Sequence, residues 1–276
     1  MLAEDADEAG ALLFELGAQG VELRDTTTLL KGELGTTMLI ASFDDSDRAR
    51  EVAAQLPVAW LPRFGEVIGD TWRDEWKKHF EPFAVCASIV IRPPWRAYES
   101  AAGERVIVLE PGRAFGTGLH ETTSLVAQAL ADRADRVRGS SVLDVGCGSG
   151  ILGLIALELG AKAVRAVDVD PDAVAVAQEN AERNACGHRL RAEGTPIEDV
   201  DGFYDVVLAN IEATTLVQLA SVLTRRLAPG GWLVLSGILR SHADGSQWPE
   251  VRAAYAGMRV EELGEKGEWL AAVLRA

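Results

Sequence analysis

The chain has 276 residues, enough for about two domains of ordinary size. Its 42 acidic residues outnumber 27 basic ones, and the formal net charge of −15 excludes a protein that wraps bare nucleic acid. Hydrophobic residues make up 48% and charged residues 25% of the chain, a balance that excludes disorder over most of its length.

The cysteines and the N-terminus indicate the compartment. Cys86, Cys147 and Cys186 are too widely spaced for a disulfide framework or a metal site. The N-terminus is acidic where a secretory signal is basic, and no stretch approaches the apolar length of a membrane span. We therefore expect a soluble cytoplasmic protein, a monomer, with no bound metal, no membrane contact and no direct nucleic-acid binding.

Residues 1–57 predict a small α+β domain. Helix patterns over residues 8–19 and 47–56 alternate with strand patterns over residues 20–25 and 35–43. This segment holds twelve acidic and four basic residues, a local charge of −8. Two interpretations stay open: a solvated acidic face, or a docking face for a basic partner.

Residues 58–100 predict a linker and a boundary. Within it, Trp72, Trp76 and Phe80 recur at a spacing of four and predict one apolar stripe on a helix. Three prolines interrupt the segment that follows: Pro82, Pro93 and Pro94. Prolines at this density favour connecting structure over long elements.

The pattern after residue 100 changes to alternating strands and helices, which predicts an α/β fold with a doubly wound parallel sheet. The C-terminal segments 258–263 and 269–274 flank a glycine-containing turn and predict antiparallel pairing at the sheet edge. The predicted strands are 142–145, 163–167, 205–209 and 232–236, and the predicted helices are 151–159, 172–184 and 214–227.

A glycine turn follows the first of these strands. Asp144 ends the strand, and Gly146, Gly148 and Gly150 precede a helix, so the backbone can approach a ligand closely. Residues 148–153 also match the dinucleotide string G-x-G-x-x-G. A carboxylate directly before the turn repels a pyrophosphate but suits a ligand that carries an ammonium and a sulfonium group. The pattern therefore favours S-adenosylmethionine over NAD.

Acidic residues also follow the next strand. Asp168 lies 20 positions past the turn, where a carboxylate can accept hydrogen bonds from both ribose hydroxyls. Asp170 precedes Pro171 and is expected to cap the following helix, although the two roles could be exchanged.

Asn210 follows the strand on the other side of the expected switch point, where open α/β sheets bind substrates. Its amide oxygen could accept a hydrogen bond from a substrate amine and direct the nitrogen lone pair at a methyl group. Asn210 could instead cap the next helix.

The segment 110–123 is dense in glycines and hydroxyls around a phenylalanine, which favours a ligand loop. Thr122, Thr123 or Ser124 could also serve as N-caps of the helix behind it. His120 could act as a base or orient this loop. Cys147 lies at a helix N-terminus, but no partner base accompanies it, which disfavours a nucleophilic role.

Four strings together resemble the PrmA family, the methyltransferases of ribosomal protein L11. They are Pro-Gly-x-Ala-Phe-Gly-Thr-Gly-x-His-x-Thr-Thr, Asp-x-Gly-Cys-Gly-Ser-Gly-Ile-Leu, Asp-x-Asp-Pro and Ala-Asn-Ile. The likeness runs from about Trp72 to the C-terminus and is weaker before it. It implies a seven-stranded Rossmann-like class I methyltransferase domain over residues 101–276, preceded by the linker and by a substrate-recognition domain over residues 1–57.

The resemblance also implies the cofactor, the substrate and the site. S-adenosylmethionine would donate methyl groups to lysine side chains and to the N-terminal α-amine of a large-subunit ribosomal protein. Thr123, Gly146, Asp168 and Asn210 would contact the cofactor, while Phe115 and Thr117 would close over it. Asp144 and Gly148 join this set through the glycine turn, Asn210 is the candidate catalytic residue, and no metal or covalent enzyme intermediate is required.

The chain departs from the family at its start, because a helix follows Met1 almost at once, so we expect a shortened substrate domain. Three alternatives stay open. They are a lysine methyltransferase of another protein, such as the electron-transfer flavoprotein β subunit, an NAD-dependent oxidoreductase, and a non-catalytic S-adenosylmethionine-binding protein.

Overall fold

The computed structural model describes residues 6–18, 20–24, 37–43, 45–64, 80–110, 120–240 and 245–276. The chain divides into two compact units, Met1–Phe80 and Glu81–Ala276, and this division falls inside the segment predicted as a linker. The predicted helix around Trp72 and Trp76 lies outside the described residues. Within the described ranges, no helix is long and apolar enough to cross a membrane.

The first unit has the predicted order of helix, strand, strand and helix. Its elements are α1 (Ala6–Glu15), β1 (Gly20–Arg24), β2 (Met38–Ser42), α2 (Ser46–Gln55) and a short 3-10 helix (Val58–Trp60). The two strands pair antiparallel, and Leu13 and Val52 bury one side chain from each helix in a small core. Asp45 caps α2 by accepting a hydrogen bond from the backbone N–H of Asp47 at 2.9 Å.

The second unit contains the larger sheet and its helices. In chain order its elements are β3 (Phe83–Cys86), β4 (Ile89–Arg92), β5 (Arg105–Val108), α3 (Glu121–Ala131), α4 (Ala134–Val137), β6 (Ser141–Val145), α5 (Ile151–Glu158), β7 (Ala163–Val167), α6 (Pro171–Arg183), β8 (Leu190–Glu193), β9 (Tyr204–Asn210), α7 (Ala213–Arg225), β10 (Leu227–Leu239), α8 (Trp248–Ala254), β11 (Arg259–Lys266) and β12 (Trp269–Arg275). A 3-10 turn, Ile197–Asp199, precedes β9.

Seven of these strands form one sheet in the order β11-β12-β10-β9-β6-β7-β8. The strands from β10 to β8 are parallel to their neighbours, and β12 and β11 continue the sheet antiparallel, which confirms the predicted α/β fold and its edge. The chain leaves β6 for β7 on one side and later returns to β9 on the other. The carboxyl end of β6 is therefore the topological switch point, where such sheets bind ligands.

Continuous apolar runs explain the parallel strands. The segment from Val206 to Ala209 is fully buried because helices cover both faces of the sheet, and α5 buries nearly every residue against it. Each buried Val or Leu contributes roughly 1.5 to 3 kcal/mol, so these runs hold the centre of the sheet in place.

Two features were not predicted. Strands β3, β4 and β5 form a separate three-stranded sheet, with β3 antiparallel and β5 parallel to β4, although residues 83–92 had been assigned to the linker. The edge strand β8 was also missed, because only Leu190 of its four residues is buried. The boundaries 1–57, 58–100 and 101–276 stay a prediction.

Candidate active site

The glycine turn lies at the switch point, directly after β6. The backbone N–H groups of Gly146 and Cys147 donate to the carbonyl of Val167 at 2.9 and 3.1 Å, so the turn is fixed to the end of β7. Gly146 has a φ of 67°, and an added Cβ there would overlap Cγ2 of Ile211. Only glycine fits this position, because a side chain meets both an unfavourable φ and an occupied space.

Asp168 lies at the tip of β7. Its Oδ2 accepts a hydrogen bond from the backbone N–H of Gly148 at 2.8 Å, and its Oδ1 accepts one from Asp170 at 3.0 Å. Asp170 in turn caps α6, accepting from the backbone N–H of Asp172 at 2.9 Å, which confirms its predicted capping role, while the ribose role of Asp168 stays a prediction. Each carboxylate oxygen of Asp168 retains acceptor capacity for a ribose hydroxyl.

Asp144 is 1% exposed. Its Oδ2 accepts a hydrogen bond from the backbone N–H of Gly153 at 3.0 Å, while its Oδ1 has no partner within the described part of the chain. Burial, reinforced by the charge of Asp168 and opposed by the bond from Gly153, raises the pKa of Asp144 to about 7. A buried acceptor without a donor suits a site that takes a cationic ligand.

Asn210 ends β9 and pairs in register with Ser236 of β10. It does not cap the next helix: the N-cap of α7 is Glu212, so that alternative was wrong. No hydrogen bond to the Asn210 amide occurs among the residues that the structure describes. The amide stands at the open end of the sheet with both its donor and its acceptor available.

Ile211 was not singled out by the sequence analysis. Its Cγ2 occupies the space beside Gly146, and its backbone lies so close to Gly237 that a Cβ on that glycine would overlap the Ile211 carbonyl oxygen. Ile211 therefore joins the glycine turn to the ends of β9 and β10. An isolated glycine within an apolar strand marks a close backbone approach, and Gly237 was the signal that could have revealed it.

The start of α3 overturns the alternative that Thr122, Thr123 or Ser124 caps the helix. Its N-cap is His120, whose Nδ1 accepts from the backbone N–H of Thr122 at 3.4 Å, so no Thr or Ser serves as the cap. Nδ1 also lies 2.8 Å from Oγ1 of Thr122, and the His120 ring packs edge-on against Trp269 with a centroid distance of 4.9 Å. These contacts orient the imidazole as a structural cap.

Thr123 is 1% exposed, and its Oγ1 has no hydrogen-bond partner in the described ranges. Like Asp144, it thus presents a buried polar atom that a ligand could satisfy. Phe115 and Thr117 lie outside the described residues, so their contacts stay predictions.

Cys147 lies inside the glycine turn. Burial, together with the negative charges of Asp144 and Asp168, raises the pKa of its thiol far above the ordinary range. The raised pKa therefore opposes a thiolate nucleophile at this position. The described parts of the chain contain no group of three or more His, Cys, Asp or Glu residues arranged to hold a metal ion.

The chemical groups around the glycine turn fit S-adenosylmethionine. The unpartnered oxygen of Asp144 can balance positive charge, and Asp168 offers acceptors for a ribose, whereas two carboxylates beside the turn oppose a pyrophosphate. With the switch-point turn of a seven-stranded sheet, this chemistry defines a class I S-adenosylmethionine-dependent methyltransferase, and S-adenosylmethionine is its methyl donor.

Comparison with known proteins specifies the family. The sequence model of the family described as Ribosomal protein L11 methyltransferase (PrmA) matches residues 2–276, so the chain belongs to the PrmA family. The ribosomal protein L11 methyltransferase of Sorangium cellulosum is 53% identical over 246 residues, covering 87% of this chain and 77% of that protein. The one from Pelobacter propionicus is 38% identical over 296 residues, covering 99% of this chain and 94% of that protein.

A solved structure supports the fold independently. The crystal structure of ribosomal protein L11 methylase from Lactobacillus delbrueckii subsp. bulgaricus has a TM-score of 0.64 and 32% sequence identity. The match covers 71% of this chain and 98% of that one. Family membership removes the oxidoreductase and the non-catalytic binding protein from the alternatives.

Proposed function

We propose that this protein methylates lysine side chains and the N-terminal α-amine of ribosomal protein L11. The observation that carries the proposal is the amide of Asn210, which has no hydrogen-bond partner among the described residues and ends β9 one residue before the side chain that packs on the glycine turn. Relatives with 53% and 38% identity are named ribosomal protein L11 methyltransferases, which supports the substrate.

When bound, S-adenosylmethionine supplies an electrophilic methyl group on a sulfonium centre. The protein holds the donor with the backbone of Gly146 and Gly148, the carboxylate of Asp168 at the ribose and the buried carboxyl of Asp144 at the positive charge. Thr123 contributes its buried hydroxyl. These groups are fixed before the ligand arrives, so little free energy is lost in ordering them.

Asn210 acts on the substrate. Its amide oxygen accepts a hydrogen bond from the attacking amine and directs the nitrogen lone pair along the line of displacement. A free lysine amine has a pKa near 10.4, so most of it is protonated at neutral pH. A pocket of neutral acceptors that excludes water disfavours the charged form and thereby provides the nucleophilic amine.

Substrate choice is assigned to the first domain. Residues 1–57 recognise the ribosomal protein, residues 58–100 connect the domains, and residues 101–276 catalyse the transfer. The charge of −8 over residues 1–57 favours a basic partner. The enzyme acts as a monomer in the cytoplasm, where ribosomal proteins are made, without direct contact to nucleic acid, and Phe115 and Thr117 cover the donor.

The purified protein and labelled S-adenosylmethionine, incubated with a whole-cell lysate, test the proposal. The labelled band should be the large-subunit ribosomal protein L11, identified by peptide mass fingerprinting. Label confined to another band, such as the electron-transfer flavoprotein β subunit, would show that the proposed substrate is wrong, while the methyltransferase activity would stand. A lysate depleted of ribosomes is the matched control and should lose most of the label.

A further inference from the structure

Helix α6 packs directly beneath the glycine turn. A Cβ added to Gly150 would lie 3.1 Å from Cβ of Ala177 and 3.3 Å from its Cα. At this distance the turn and the helix are in backbone contact, so the position of the helix determines where the turn lies.

Asn180 reinforces this contact from the same helix, and its side chain is fully buried. Its Nδ2 donates to the carbonyl of Ser149 in the turn at 3.0 Å. Its Oδ1 accepts from the backbone N–H of Glu110 at 3.2 Å and from Nη1 of Arg183 at 2.8 Å. One amide thus joins the glycine turn to the residues that follow β5.

Asn184, one helical turn further along α6, contacts Val108, the last residue of β5. Its Oδ1 accepts from the backbone N–H of Val108 at 2.8 Å, and its Nδ2 donates to the carbonyl of Val108 at 2.7 Å. Four residues of helix rise about 6 Å, close to the roughly 6.6 Å between alternate residues of a strand, so the two amides match Val108 and Glu110. Only Asn180 also reaches the glycine turn.

We propose that Asn180 is a positioning residue for methyl transfer. It does not contact the donor; it fixes the glycine turn relative to the end of β5, and thereby sets the orientation in which the donor is held. This inference rests on the proposed function, because it assumes that the turn binds S-adenosylmethionine.

Asn180→Asp and Asn184→Asp form a matched pair. In Asn180→Asp the acceptor for Glu110 and Arg183 remains, but the donor to Ser149 becomes an oxygen that repels its carbonyl. Asn184→Asp makes the same change against the carbonyl of Val108, away from the turn. Asn180 is fully buried and Asn184 is half-buried, so both variants should lower the thermal midpoint, Asn180→Asp by the larger amount.

Calorimetry with S-adenosylhomocysteine and steady-state methylation then separate positioning from stability. We expect about a tenfold or larger rise in Kd for Asn180→Asp, with a fall in kcat, and less than about a threefold change for Asn184→Asp. Equal Kd values for the two variants would overturn the inference. If Asn180→Asp does not fold, Asn180→Ser must show the same rise in Kd.

Measurements on the wild-type protein separate the proposed function from the role of Asn180. A wild-type protein that binds S-adenosylhomocysteine but does not methylate ribosomal protein L11 would refute the proposed substrate, while the comparison of Kd values would still decide the role of Asn180. A wild-type protein that binds no S-adenosylhomocysteine would overturn the proposed function and this inference together.

Discussion

The backbone N–H of Gly148 donates to Oδ2 of Asp168 at 2.8 Å, across 20 residues of sequence. The other oxygen of this carboxylate accepts from the backbone N–H of Asp170 at 3.0 Å. Two backbone donors therefore orient the carboxylate at the tip of β7, and the same glycine belongs to the turn that we propose holds S-adenosylmethionine. A ribose would meet acceptors that are already in place.

Asp168→Asn should weaken donor binding. The substitution removes one of the two charged acceptors and puts an N–H group against a backbone donor or a ribose hydroxyl. Hydrogen bonds to charged groups contribute roughly 1.5 to 3 kcal/mol, so the Kd for S-adenosylmethionine should rise about ten- to hundredfold in calorimetry.

Asp170→Asn is the matched control for Asp168→Asn, because asparagine is as good an N-cap as aspartate and the residue lies two positions away. Its Kd should stay within about twofold of the wild-type value. Equal losses in the two variants would contradict the ribose assignment.

Asn210→Ala should separate binding from catalysis. Loss of the amide removes the acceptor that orients the amine, so kcat should fall roughly a hundredfold, whereas the Kd for S-adenosylhomocysteine should rise less than tenfold. Single-turnover methylation with saturating donor measures this. A variant that methylates at the wild-type rate would remove Asn210 from the mechanism.

Asp144 should make stability depend on pH. Its folded pKa of about 7 lies above the ordinary value of 3.8, so its contribution is fully present below pH 3.8 and is lost as the pH rises towards 7. Asp144→Asn cannot titrate and retains an acceptor for Gly153. The free energy of unfolding of Asp144→Asn should therefore increase relative to that of the wild type as the pH rises from 3.8 to about 7. Above about pH 7 the difference between the two proteins should stay constant.

Urea titrations at several pH values test this expectation for Asp144. A difference between Asp144→Asn and the wild type that stays constant from pH 4 to pH 8 would contradict it. The same titrations on Asp205→Asn, a carboxyl that accepts hydrogen bonds from Ser141 at the opposite end of the sheet, control for general acid effects.

His120→Asn tests whether the imidazole is a base or a cap. Asparagine caps helices well but takes no proton near neutral pH, so this variant should keep its methylation rate within about threefold. Its thermal midpoint should fall less than that of His120→Ala, because it loses the ring contact with Trp269 but keeps the cap. His120→Ala lacks the cap and should lose about 1 kcal/mol of stability. A rate for His120→Asn that falls more than about a hundredfold with intact stability would identify a base.

Glu261 holds an arginine cluster at the edge of the sheet. It lies 2.9 Å from Arg136, 3.0 Å from Arg259 and 3.4 Å from Arg275. Burial alone would raise the pKa of Glu261, but bonds from these arginines and the charge of Arg136 hold it below its usual range. The stabilisation is present above the ordinary pKa and is lost as the pH falls through the lower folded value.

Glu261→Gln leaves these guanidinium groups facing one another, and we expect a loss of about 1 to 2 kcal/mol in denaturant unfolding, smaller at high salt. Glu262→Gln is the matched control: its carboxylate is more exposed and pairs with Arg133 at 2.6 Å. A larger loss in Glu262→Gln than in Glu261→Gln would contradict this account.

The sequence predicted the parts of the fold that local chemistry determines. The buried strands are recognisable in the sequence as apolar runs. The glycine turn, Asp168 and Asn210 are recognisable as candidate site residues because each lies at the end of such a strand. Strand β8 was not predicted because most of its side chains are solvated at a sheet edge, so it has no continuous apolar run. Strands β3 and β4 form a tight hairpin and were missed because prolines flank two runs of only four residues, while β5 pairs with β4 from further along the chain.

The site was predicted only in part for a related reason. Ile211 acts through contacts with Gly146 and Gly237, which lie far from it in the sequence; the isolated Gly237 indicates a close backbone approach but not which residue makes it. Hydroxyl residues stayed open as alternative caps of α3 because they are common caps, whereas the helix is capped by His120, whose ring packs against Trp269.

The decisive measurement is the intact mass of purified ribosomal protein L11, recorded before and after incubation with this enzyme and S-adenosylmethionine. We expect whole-methyl increments that fragmentation locates on lysine side chains and on the N-terminal amine, and none with Asn210→Ala over the same time. An unchanged mass, with an enzyme shown by calorimetry to bind the donor, would contradict it.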